Sequence, residues 1–271
     1  MNDQRPIGLL DSGVGGLSVL REVRALLPAE NVIYVADQAH LPYGTRDQRE
    51  IRVYVETIAR FLIGQGCKLI VIACNAANAA ALHHTRALFP DLPIVGMEPA
   101  IKPAAARTRS GVIGVITTQT TYQGALYASV VDRFAQGLRV IAQVCPDLVW
   151  LAEQGAPETE AARAIVANSL APLQAANVDQ VVLGCTHFPF LLPHLRAVLG
   201  EGVEIIDPAP AVARQVRRLL AERALLNDSA AQGTATYFTS GEPQRFAKIA
   251  YQLTGEPIHA EQLCWQADQL A

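Results

Sequence analysis

Short unbroken apolar runs recur at 7–10, 32–35, 69–73 and 94–95, and again at 112–116, 138–142, 180–183 and 203–206. Runs of this length without an alternating polar face predict strands buried on both sides, the environment of a parallel sheet covered by helices. Between them lie Ala- and Arg-rich segments of helical period, among them 17–27, 47–64 and 158–175. The alternation predicts an α/β fold with helices flanking mostly parallel sheets. Beyond the last run, TATYFTSG reads as a further strand and 243–253 as a helix, and this tail is expected to pack back onto the first lobe.

The second group of four strands repeats the first. IGLLDS at 7–12 corresponds to IGVITT at 113–118, and VIACNA at 71–76 to VVLGCTH from 181, which pairs Cys74 with Cys185. Each fourth strand leaves through a proline-containing segment, MEPAIKP or DPAP, which suits a crossing between lobes. The expected organisation is two pseudo-symmetric lobes, 1–98 plus 208–271 and 99–207, with the active site in the cleft between them. Ligands of open parallel sheets bind beyond the carboxyl ends of the strands. Both repeats put a cysteine there, so facing lobes bring Cys74 and Cys185 to opposite sides of one cleft.

Composition narrows the partners. Of 271 residues, 51% are hydrophobic and 17% charged, which excludes a disordered or fibrous chain. The formal charge of −3 gives no footprint for nucleic acid, and a small-molecule substrate is expected instead. No apolar run reaches the roughly 18–20 residues that span a bilayer, so no membrane association is expected. MNDQRP runs straight into IGLL without the parts of an export leader, which points to a cytoplasmic protein. The five cysteines form no CxxC pair and no zinc spacing, so free thiols and no metal are expected. The oligomeric state is open, a homo-oligomer included.

Several positions could carry chemistry. Cys74 ends KLIVIAC and is followed by Asn75 and a helix start, where the helix dipole favours a thiolate. A buried packing cysteine is the competing reading. Cys185 occupies the matching place in GCTHFP, with Thr186 and His187 behind it; His187 is near enough in sequence to tune a thiol. Asp11 and Ser12 open DSGVGG, whose glycines and amides suit an anion, although both side chains equally fit helix capping. Thr117, Thr118 and Thr121 offer hydroxyls at the equivalent strand end, suited to a carboxylate. HLPYGT at 40–45 is an ordinary turn or a means of presenting the Tyr43 phenol and backbone amides at Gly44 to the cleft. Glu153, in LVWLAEQG, reads on local grounds as a solvated helix residue. Cys67, Cys145 and Cys264 read as packing or surface thiols, and His40, His83, His84, His194 and His259 as surface or satisfied histidines.

In their order along the chain, DSGVGGLSVL, YVADQAHLPYG, IACN, the EPAIKPA run, VLGCTHFP and IDPA resemble the glutamate racemases of the cofactor-independent aspartate/glutamate racemase superfamily. The resemblance covers roughly the whole chain. It implies Cys74 and Cys185 as the two catalytic acid/base residues, Asp11 assisting the first, and Glu153 and His187 assisting the second. It further implies substrate contacts from Asp11, Ser12, Tyr43, Gly44, Asn75, Thr118, Thr121, Thr186 and His187. The family usually reads CNTA where this chain reads CNAAN, so Ala76 stands at a substrate-binding position without the expected hydroxyl.

Such a resemblance implies interconversion of L- and D-glutamate, supplying D-glutamate for peptidoglycan. Two bases on opposing faces of the α-carbon remove and return its proton, one as thiolate and the other as thiol, with sulfurs expected roughly 6–7 Å apart. Lys68, Lys102 and Lys248 are the only lysines, and none accompanies a phosphate-binding motif. No pyridoxal phosphate, nucleotide or other cofactor is therefore expected. The alternatives are a racemase of another acidic amino acid such as aspartate, or a catalytically weakened regulatory binding protein.

Overall fold

The computed structural model describes residues 3–267 and 269–270. The first sheet is built from β1 (Ile7–Asp11), β2 (Val32–Ala36), β3 (Leu69–Ile72) and β4 (Ile94–Val95), the second from β5 (Val112–Thr117), β6 (Arg139–Val144), β7 (Gln180–Gly184) and β8 (Glu204–Ile206). The tail adds β9 (Ala235–Thr239) and β10 (Ala260–Gln262) to the first sheet, giving the order β10-β9-β2-β1-β3-β4. The second sheet runs β6-β5-β7-β8. Every pairing in both is parallel. Both cores thus follow the order second, first, third, fourth, so the duplication read from sequence is a duplication of topology. A small antiparallel hairpin, β11 (Trp265–Gln266) with β12 (Gln269–Leu270), closes the described chain.

Eleven helices cover the sheets among the described residues: α1 (Leu17–Leu26), α2 (Gln48–Gly64), α3 (Asn75–Leu88), α4 (Ile101–Arg107), α5 (Gln119–Tyr122), α6 (Ala125–Phe134), α7 (Pro146–Ala152), α8 (Glu160–Ala175), α9 (Leu192–Leu199), α10 (Ala209–Glu222) and α11 (Pro243–Thr254). The period of two along each strand decides which helix it meets. Ile7, Leu9, Leu69 and Val71 pack with Val19, Val216 and Phe246, from α1, α10 and α11. Their neighbours Leu10, Ile70 and Ile72 face the other way, onto Ile58 and Leu62 of α2 and Ala77 and Ala81 of α3. In the second sheet Ile116, Val181 and Leu183 join the faces of α7, α8 and α9, while Ile113, Val115 and Val182 join α4 and α6.

Local chemistry trims the expected boundaries. Asp47 lies outside its helix because its carboxylate caps it, accepting from Arg49 N–H (2.7 Å). The helix expected from 158 begins at Glu160, since Thr159 is the cap and accepts from Ala162 N–H (3.2 Å). The strand expected at 138–142 runs Arg139–Val144: Leu138 N–H is taken by Ala135 O (3.0 Å), while Gln143 and Val144 still pair with Ile116 and Thr117. No helix among the described residues is long and apolar enough to cross a membrane.

Candidate active site

The carboxyl ends of the two sheets face each other. Asp11 closes β1, Cys74 is the residue before α3, Thr118 precedes α5 and Cys185 follows β7. Cys74 and Cys185 line one small cavity of about 20 Å³, walled by Ser12, Tyr43, Gly44, Asn75 and Ala76 from one side and Thr118, Thr186 and His187 from the other. A larger cleft of about 840 Å³ lies between the two lobe crossings and contains neither cysteine.

Behind Cys185 runs a chain of buried polar groups. His187 Nδ1 lies 3.5 Å from Cys185 Sγ, and its Nε2 lies 2.7 Å from Glu153 Oε1. Burial works against a charged imidazole at His187, but the hydrogen bonds to Cys185 and Glu153 prevail and raise its pKa well above the ordinary histidine value. An imidazolium carries a proton on each nitrogen, one for Glu153 and one directed at the sulfur. Glu153 is held from the opposite lobe as well, accepting from Val14 N–H (2.8 Å) and Gln38 Nε2 (3.3 Å).

Cys74 sits in a different setting. Burial first, and then the Asp11 charge, pushes its thiol well above the ordinary range, against the amides of Ala77 and Ser12. The helix end that leads the sequence reading to favour a thiolate is present, yet desolvation outweighs it in the closed cavity. Ser12 Oγ lies 3.9 Å from Cys74 Sγ. Asp11 is buried and raised to about 6, chiefly by desolvation. Its two oxygens accept from Gly13 N–H (2.7 Å) and Thr186 Oγ1 (3.1 Å), the latter across the cleft.

The glycines of DSGVGG are required by what stands opposite. A Cβ at Gly13 would fall on the Glu153 carboxylate, and one at Gly15 would come within 2.5 Å of His187 Nδ1 and 2.6 Å of Thr186 Oγ1. Gly44 similarly allows Thr118 to approach, a Cβ there meeting Thr118 Cβ at 2.7 Å.

Of the residues singled out from sequence, Ser12, Tyr43, Gly44, Cys74, Asn75, Ala76, Thr118, Cys185, Thr186 and His187 all border the cavity. Asp11 and Glu153 stand behind it, and Thr121 reaches it only through a 3.0 Å hydroxyl contact with Thr118. Glu153 is not a solvated helix residue: it is 3% exposed at the end of α7, where its partners come from α1's approach loop and His187. The Tyr43 phenol does not project into the cleft as a donor, because it is committed to Asp37 Oδ2 at 2.6 Å. His194 is neither a surface nor a satisfied histidine: it is buried, neither ring nitrogen has a hydrogen-bond partner, and the nearest carboxylate, Glu158, stands 3.6 Å away. Sequence reasoning missed Val149 and Pro42 in the cavity wall, Gln38 on Glu153, and Tyr34, whose hydroxyl donates to Gly13 O (2.7 Å). Pro42 lies within HLPYGT, and Tyr34 and Gln38 within YVADQAHLPYG, so these three carried a signal; Val149 carried none.

The Asp/Glu/Hydantoin racemase family model matches residues 7–216, through both cysteine-bearing strand ends. The chain belongs to that family. A glutamate racemase from Roseiflexus sp. (strain RS-1) is 50% identical over 256 residues, covering 93% of this chain and 94% of the relative. Among solved structures, glutamate racemase isoform RacE1 from Bacillus anthracis superposes with a TM-score of 0.88 at 32% identity, covering 99% of this chain and all of the other. Glutamate racemase from Francisella tularensis in complex with D-glutamate gives 0.83 at 28% identity, covering 96% and 97%. The two solved structures superpose over nearly the whole chain and so share its two-lobed arrangement.

Proposed function

We propose that this racemase interconverts L- and D-glutamate without a cofactor, using Cys74 and Cys185 as the acid/base pair. The observation that carries the reading is that two thiols from corresponding strand ends of a duplicated fold border one cavity, Cys185 backed by His187 and Glu153 and Cys74 under the charge of the buried Asp11. One sulfur, as thiolate, removes the α-proton, and the other, as thiol, returns a proton to the opposite face. Reversing the direction exchanges the roles. His187 and Glu153 shift protons at Cys185, and Asp11 does the equivalent service at Cys74.

Binding falls to groups that remain available. Asn75 is buried in the cavity wall, and neither its amide oxygen nor its nitrogen has a partner, which is costly unless a ligand supplies one. We assign it to the substrate, together with the hydroxyls of Ser12 and Thr118 and backbone amides at Gly44 and Ala76; Thr186 Oγ1, whose proton goes to Asp11, offers the substrate only its lone pairs. Ala76 contributes a methyl where relatives of the CNTA pattern have a hydroxyl, and Thr121 acts by orienting Thr118. A void of about 20 Å³ accommodates roughly a water molecule, so an amino acid enters only with rearrangement of the cavity wall. The lobes we assign are 1–98 with 208–271, and 99–207; the strands of each sheet fall within one of them. D-Glutamate made in this way serves peptidoglycan synthesis, in the cytoplasm.

The test is a chiral assay of the purified, reduced protein with each enantiomer of glutamate and of aspartate and no added cofactor. Interconversion confined to glutamate is expected. Turnover of aspartate alone, or of neither amino acid, overturns the assignment.

A further inference from the structure

Asp37, immediately after β2, is buried and its carboxylate gathers four donors, two from the adjoining loop and two from the distant C-terminal tail. Oδ1 accepts from Ser240 Oγ (2.7 Å) and Trp265 Nε1 (2.7 Å), both in the C-terminal tail. Oδ2 accepts from the Tyr43 hydroxyl (2.6 Å) and lies 2.9 Å from His40 Nδ1, both in the 38–45 segment. One carboxylate therefore joins the tail, through one oxygen, to the loop that walls the cavity, through the other. Hydrogen bonds to an ionised acceptor are about twice as strong as neutral ones, which makes this joint stiff.

Ring contacts follow the same path. His40 stacks on Tyr54 of α2 (centroids 3.8 Å, planes 11° apart) and makes a T-shaped contact with Trp265 (4.8 Å, 76°). Arg46 Nε donates to His40 O, folding the loop's two ends together. On its far side the loop meets the second lobe, with Thr120 Oγ1 3.2 Å from the carbonyls of both Tyr43 and Arg46. The side that faces Trp265 is thus the loop's anchorage in its own lobe.

We propose that Trp265 is a positioning residue for the substrate loop: acting through Asp37 and His40, the C-terminal hairpin holds residues 40–45 where Tyr43 and Gly44 wall the catalytic cavity. The proposal rests on the glutamate reading of that cavity, and it goes beyond that reading by giving the tail a part in substrate binding. Trp265 is not among the residues that line the catalytic cavity, so its loss weakens capture of substrate rather than proton transfer.

Trp265→Phe keeps an aromatic ring against His40 and Tyr54 and deletes the N–H together with part of the indole's contact area. We expect KM for glutamate to rise about tenfold in both directions, the effect of one hydrogen bond to a charged group, with kcat within about twofold of wild type. Hydrogen exchange across 38–46 should accelerate about tenfold while β1 and β3 keep their protection. In an Asp37→Asn background the same replacement should add less than in the wild type, because the indole N–H has already lost its charged acceptor. Trp265→Ala should exceed Trp265→Phe in both readouts. A lowered Tm with KM and loop exchange unchanged in Trp265→Phe would make Trp265 a mere anchor of its own hairpin and overturn the proposal; so would independent, multiplying effects of Asp37→Asn and Trp265→Phe. Should the wild type fail to racemise glutamate, the functional reading falls by itself, and loop exchange still decides the tether.

Discussion

At Cys74 and Cys185 the same residue type is given two electrostatic settings, one thiol raised by burial beside Asp11, the other in contact with a histidine whose protonated form is favoured. Replacing either cysteine with alanine should abolish racemisation with the fold retained. In deuterated water, early label should appear in the newly formed enantiomer, since one group takes the substrate's proton and the other delivers solvent deuterium; equal early labelling of substrate and product would exclude two bases. Asp11 yields a pH prediction. Its folded pKa rises from an ordinary 3.8 to about 6, so the native state holds the proton more tightly than the unfolded chain. That contribution is fully present below about pH 4 and is lost as pH rises through about 6. Asp11→Asn, which imitates the protonated acid, should thus gain stability relative to wild type with rising pH, by up to ~3 kcal/mol at pH 8. Urea denaturation at pH 5 and pH 8 should show roughly half of this gap, because the other half is already lost between pH 4 and pH 5, and steps at Cys74 should slow even as the fold is strengthened. At Asn75, alanine should lower kcat/KM by roughly 10–100-fold, the loss of one or two bonds to a carboxylate, whereas near-normal steady-state kinetics would remove it from the binding set. Cys74, Cys185 and Asn75 were legible because motif and strand end coincide. Glu153 was not legible on local grounds, because a carboxylate closing an amphipathic helix looks the same whether water or another lobe's backbone completes its coordination.

Among the elements, the turn between β1 and α1 is the most constrained by its surroundings. Gly15 faces His187 and Thr186 so closely that Gly15→Ala must push one of them aside. Because that glycine sits in a loop and not in a strand interior, we expect thermal unfolding to change modestly while kcat falls at least tenfold, with the pH profile of kcat/KM altered because His187 is displaced. An unaltered profile would mean that the turn yields without moving the imidazole. Strands and long helices were legible here because a buried strand needs a continuous apolar run and a covering helix needs an apolar stripe. The edges were less so: β6 carries partly exposed residues and continues through Gln143, which an apolar-run criterion rejects although the backbone ladder accepts it. The single turns at Gln38–His40 and Tyr43–Thr45 were equally hidden, since their form depends on Asp37 collecting donors from residues two hundred positions away.

For the whole molecule, the order of strands was less accessible than their existence. The internal repeat implied two like sheets, but that β9 and β10 extend the first sheet beyond β2 depends on pairing that no local pattern encodes. The tail's expected return to the first lobe is realised as backbone pairing, Val32 to Ala235 through Ala36 to Thr239. This arrangement has a consequence for synthesis. The second sheet's strands emerge from the ribosome consecutively, from 112 to 206, whereas β2 keeps an unsatisfied outer edge until residues 235–239 have been made. The inserted lobe should therefore become protease-resistant on stalled nascent chains before the lobe that begins the polypeptide does, and the exposed β2 border in the interim is the point at which a growing chain is open to faulty intermolecular pairing.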